Sequence, residues 1–78
     1  MNTSKDLELD LREYTWPVLV HKVSKGLEQI AIGQTLTFIT EDVERKVELS
    51  GYLKEAGHEI VETKDQGDSI IYVIRKKK

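Results

Sequence analysis

Apolar residues along this chain recur with two different periods, and the order in which those periods follow one another leaves few folds open. Leu7-Glu8-Leu9-Asp10-Leu11 alternates strictly, the period of a half-buried strand. From Pro17 the spacing changes, and Leu19, Val20, Val23, Leu27 and Ile30 recur at helical intervals. Proline is most comfortable in the first turn of a helix, so Pro17 reads as the first helical residue and Trp16 as its N-cap. Gly33 stops the segment. Gly26 lies inside it at a cost of about 1 kcal/mol relative to alanine, which marks a place of close packing. Thr35 to Ile39, β-branched or aromatic apart from Leu36, returns to a strand.

The second half repeats the alternation less regularly. Thr40 reads as the N-cap of a second helix, with Glu41 and Asp42 complementing its dipole. Leu49, Tyr52, Leu53 and Ala56 share one face of it, but Val43 and Val47 point elsewhere with Ser50-Gly51 between, which predicts a bend or two contact surfaces. Gly57 is the expected C-cap. His58 to Lys64 alternates around Ile60 as a third strand, Asp65-Gln66-Gly67-Asp68 is a turn, and Ser69 to Arg75 is a fourth strand. Ile70-Ile71-Tyr72-Val73-Ile74 is apolar on both faces, so this strand is expected to be central or covered at least partly on both sides. The order β-α-β-α-β-β, with a right-handed crossover preferred in each strand-helix-strand unit, predicts an α/β two-layer sandwich. In it a four-stranded mixed sheet carries two helices on one face. Residues 1–78 form a single domain, with no internal repeat and no linker.

Composition narrows the chemistry. The chain has no cysteine, so a disulfide framework, a thiolate zinc site and thiol redox chemistry are all excluded. Its net charge of −2 argues against broad non-specific nucleic-acid binding, which needs a surplus of positive charge. The charge is uneven: Arg75-Lys76-Lys77-Lys78 close the sequence and acids dominate Glu41 to Glu62. The basic tail reads either as a frayed, solvated end or as a contact for nucleic acid or an acidic partner. No apolar run approaches membrane-spanning length, and Met1 to Asp6 lacks the apolar core of a signal peptide, so a cytoplasmic protein is expected.

A family resemblance emerges when these pieces are set in order. Leu9-Asp10-Leu11 ends the first strand, Trp16-Pro17-Val18-Leu19 opens the first helix, and Gly33-Gln34-Thr35-Leu36 turns into the second strand. Glu41-Asp42 follow it, Gly57-His58-Glu59 lead into the third strand, and Arg75-Lys76 end the fourth. In that order and at those spacings the chain resembles the TusA/SirA family of small sulfur-carrier proteins, from about residue 7 to its end. The resemblance breaks inside the family's Cys-Pro-x-Pro motif: Trp16 stands where the cysteine belongs and Leu19 replaces the second proline. What the resemblance implies is a cysteine that takes sulfur as a persulfide from a desulfurase and hands it on. A persulfide needs a thiolate, and the only sulfur here is the thioether of Met1. No catalytic residue and no cofactor is therefore expected. The implied role is that of a protein-binding module tied to sulfur relay, its partner a relay component or a paralogous carrier.

The residues that would carry binding are Trp16, Pro17, Val18, His21 and Lys22 around the head of the first helix. Trp16 has two readings: an indole folded over the sheet edge to cap the core, or an exposed anchor of the kind enriched in interface hot spots. It has no side-chain oxygen for the first helical amides, leaving Thr15 or water to serve. His21, Lys22 and Lys25 read as a solvated polar face or as a basic rim for an acidic partner. The alternative function is RNA binding through a patch of Lys22, Lys25, Arg75 and Lys76, since the topology also resembles the C-terminal domain of bacterial initiation factor three. His58 and Glu59 are adjacent strand residues pointing to opposite faces, so they do not converge as an acid-base pair. Glu41 and Asp42 lack a third ligand at metal-binding spacing, so no metal site is expected. Tyr14, Tyr52 and Tyr72 read as residues at the edge of the core.

Overall fold

A computed structural model describes residues 6–78; Met1 to Lys5, where the leader reading falls, lie outside the described residues. The chain forms β1 (Leu7–Asp10), α1 (Val18–Glu28), β2 (Thr35–Thr40), a 3-10 turn (Val43–Arg45), α2 (Lys46–Glu55), β3 (Glu59–Asp65) and β4 (Ile70–Arg75). One mixed sheet holds the strands in the order β1-β2-β4-β3. β1 runs parallel to β2, and β4 is antiparallel to both its neighbours. This is the α/β sandwich expected from the order of periods, and β4 takes the central position that its two apolar faces required.

Alternation along the two central strands decides where the core lies. Leu36, Phe38 and Thr40 from β2 and Ile70, Tyr72 and Ile74 from β4 are fully buried on one face. Onto them pack Leu19, Val23 and Leu27 of α1, spaced four residues apart, and Leu49 and Leu53 of α2. Phe38 and Tyr72 are direct cross-strand partners, their rings stacked 5.0 Å apart. Tyr72 is thus the centre of the core and not its edge, unlike the half-buried Tyr14 and Tyr52. Burial raises its phenol pKa, with Asp65 and Asp42 acting in the same direction.

Gly26 lies where α1 crosses the β1–β2 pair. A Cβ there would stand 3.0 Å from Leu9 Cδ1 and 3.3 Å from Leu36 Cδ2. Overpacking of a core costs about 1–3 kcal/mol, and alanine recovers up to about 1 kcal/mol of helix propensity. Gly26→Ala is therefore expected to lower stability by about 1 kcal/mol in denaturant unfolding; a stabilised variant would show that Leu9 yields freely.

Four local expectations are corrected. α1 begins at Val18 with Pro17 as its N-cap, one residue later than the proline rule placed it. Thr40 does not cap a helix: it ends β2, and its Oγ1 accepts the Asp42 N–H at 3.0 Å. The irregularity of the second helix is a 3-10 turn ahead of α2, which buries Val43 partly and leaves Val47 80% exposed. The basic tail is not frayed, since the Lys76 backbone pairs with Gln34 and Gly33 at 2.9 and 2.7 Å. Gly57 does end α2. At φ +90 it donates to the Lys54 carbonyl while His58 donates to Leu53, the paired bonds of a Schellman motif.

Candidate functional site

Because β1 and β2 are parallel, their carboxyl ends lie side by side, and the loop that enters α1 meets the loop that leaves β2. That end of a parallel pair is where open α/β sheets present their sites. Trp16 is fixed there. Its backbone N–H donates to Asp42 Oδ2 at 3.0 Å, and the Arg45 guanidinium lies 6.0 Å from its ring centre. The indole is half-buried and packs against the core, while Pro17 and Val18 beside it are exposed, Val18 by 48%. The peptide between Trp16 and Pro17 is cis.

No side chain caps α1; the Leu19 amide is taken by the Thr15 carbonyl at 2.8 Å and the His21 amide by Pro17. Asp42 does not cap a helix with its side chain. Its carboxylate instead ties the loop after β2 to the Trp16 backbone. Asp42 and Arg45 were not singled out from sequence as neighbours of Trp16. The parallel register of β1 and β2 was the available signal, since it brings residues just past both strands to one end.

His21 and Lys22 are placed differently. They line a groove of about 680 Å³ between α1 and β1, together with Asp10, Tyr14 and Lys25. The Lys22 ammonium sits 4.9 Å above the Tyr14 ring, a cation–π contact. The four residues suggested as a basic patch have different immediate surroundings. Lys22 and Lys25 belong to this groove, whereas Arg75 on β4 pairs with Glu59 at 3.4 Å and donates to the Gly33 carbonyl. The Lys76 ammonium is engaged by the Ile30 carbonyl at 2.9 Å. His58 and Glu59 also part company: His58 accepts from the Lys77 amide and Glu59 pairs with Arg75.

The sheet face away from the helices carries a shallow hollow of about 450 Å³ lined by Glu8, Asp10, Arg12, Thr37, Ile39 and Ile71. There the Arg12 side chain holds Asp10 with bonds of 3.0 and 2.8 Å and its backbone adds a third at 3.2 Å, which lowers the Asp10 pKa to about 2. A carboxyl depressed in the folded state favours folding above its ordinary range, and that contribution fades as pH falls toward the folded value. A carboxyl-detected NMR titration is expected to give an Asp10 midpoint near 2, rising in Arg12→Ala, which removes the two side-chain bonds and keeps the backbone one. An unchanged midpoint in the variant would rule out the Arg12 side chain as the cause.

Fold and site together define a small two-layer α/β sandwich that presents an aromatic–proline pair at the carboxyl ends of its parallel strands. Residues 7–76 match the family described as sulfurtransferase TusA, so the chain belongs to the TusA family. It is 28% identical to the sulfur carrier protein TusA of Allochromatium vinosum over 91% of this chain and 93% of that one. It is also 28% identical to YrkI of Bacillus subtilis, described as a candidate sulfur carrier protein, over 91% and 95% of the two chains. A candidate sulfur carrier of Archaeoglobus fulgidus is 29% identical, with 90% and 96% covered. This chain has no cysteine at all.

Proposed function

We propose that the chain is a binding module of sulfur relay that docks a protein partner without itself carrying sulfur. The observation behind this reading is the tip formed by Trp16, Pro17 and Val18 on a TusA-family domain that has no thiol. Transfer through a persulfide requires a thiolate, which no residue of this sequence supplies. A tip whose backbone is tied down by Asp42 is suited to recognition, because a pre-ordered contact loses little freedom on binding. The partner is a relay component or a paralogous carrier with a face that accepts an aromatic side chain. His21 and Lys22 add polar contacts at the rim, and the setting is the cytoplasm; among the described residues no helix is long and apolar enough to cross a membrane.

The reading is tested by affinity capture of the tagged protein from its native extract, with Trp16→Ala in parallel. Desulfurases, thiol carriers or sulfur-accepting enzymes are expected with the wild type and absent with the variant. RNA held by both proteins and stripped by salt would overturn the reading in favour of electrostatic nucleic-acid binding.

A further inference from the structure

The basic residues after β4 are folded back over the ends of both helices. The Lys76 ammonium is fixed by the Ile30 carbonyl, the Lys77 amide donates to His58 Nδ1 at 3.2 Å, and the Lys78 side chain crosses Gly57. A Cβ on Gly57 would stand 2.8 Å from Lys78 Cδ, so the glycine leaves room for this crossing. Between tail and helices opens a groove of about 150 Å³. Leu27 lines it along with Ser24 and Glu28 of α1, Tyr52 of α2, and His58, Lys76 and Lys78.

Donors dominate this lining. Since His58 Nδ1 accepts a hydrogen bond, the neutral imidazole carries its proton on Nε2. Ser24, Tyr52, Lys76 and Lys78 are the other lining residues with donor groups, against one acidic residue, Glu28. We propose that this groove binds a small divalent tetrahedral oxyanion, of the class of sulfate and hydrogen phosphate, through Ser24, Tyr52, His58 Nε2, Lys76 and Lys78. Lys76 is already immobilised by Ile30, so its charge is presented without further ordering. Burial of His58, together with Lys76 and Lys78, lowers its pKa, and a bound dianion acts in the opposite sense. The groove is the size of one such ion with a few waters, and it is too small for a nucleoside.

The test is NMR of the full chain, with sodium sulfate exchanged for sodium chloride at fixed ionic strength and the pH stepped across the histidine range. The expected result is saturable shifts confined to the neighbourhood of Ser24, Tyr52 and His58, and a rise of about half a unit or more in the His58 pKa, while the exposed His21 stays still. Tyr52→Phe, which removes one hydroxyl and keeps the ring, is expected to weaken sulfate binding about tenfold, as loss of a hydrogen bond to a charged group does. Lys78→Gln is expected to weaken it as well. Equal, unsaturating responses of both histidines would overturn the proposal, and so would affinity unchanged in both variants.

Discussion

Trp16→Ala is expected to weaken partner binding by about thirtyfold or more, the effect of losing one aromatic hot spot worth about 2 kcal/mol or more. The expectation rests on placement: Trp16 stands beside exposed Pro17 and Val18, and its backbone is held by Asp42. The same indole packs against the core, so the substitution also costs the domain roughly 2 kcal/mol, about half the cost of truncating a wholly buried tryptophan. Val18→Glu separates the two effects. Val18 is the first residue of α1, where the helix dipole favours a carboxylate, so its melting temperature is expected to hold while a charge enters the apolar tip. Isothermal titration with the captured partner decides the matter. Binding lost in both variants, with Val18→Glu fully folded, assigns the loss to the surface; binding retained in both sinks the docking role.

Phe38→Ala is expected to produce the largest loss of stability. Phe38 is 1% exposed, sits on a central strand and stacks on Tyr72, so its removal leaves a cavity bounded by both central strands. Truncation of a buried phenylalanine costs about 3–5 kcal/mol. A domain of this size has total stability of only about 4–12 kcal/mol. At about 4–8 °C per kcal/mol, the melting temperature is expected to fall by about 15 °C or more in a thermal scan followed by circular dichroism. A fall below about 5 °C would mean that the two helices collapse into the space.

The fold was legible because local patterns and tertiary demands agree. Leu19, Val23 and Leu27 could face only one layer, and the doubly apolar run from Ile70 to Ile74 could lie only inside the sheet. Where the structure departs from local pattern, a distant contact overrides a local preference. Thr40 has the chemistry of a helix cap, yet pairing with Ile70 keeps it in β2, and its hydroxyl turns to the Asp42 amide. Tyr72 has an amphipathic side chain, but its position between two strands and under two helices buries it whole. Lys76 looked like a solvated tail residue because nothing local shows that Gln34, Gly33 and Ile30 hold polar groups ready for it. At the candidate site the Trp16–Pro17 pair was visible, whereas its ties to Asp42 and Arg45 depend on register across the sheet.

The strand order also sets a timetable for synthesis. β4 follows the other three strands in the sequence, yet it lies between β2 and β3 in space, and β2 meets β3 only through it. Until β4 emerges from the ribosome, β2 lacks its antiparallel partner, and α1 and α2 lack the central strand beneath them. Once it emerges, the turn at Gln66–Ser69 folds β4 onto β3 at short range, and this hairpin presents its open edge to β2. The nascent chain therefore gains cooperativity late and in a single step, and interruption before β4 leaves two fragments with exposed central edges, the form in which unfinished sheets aggregate.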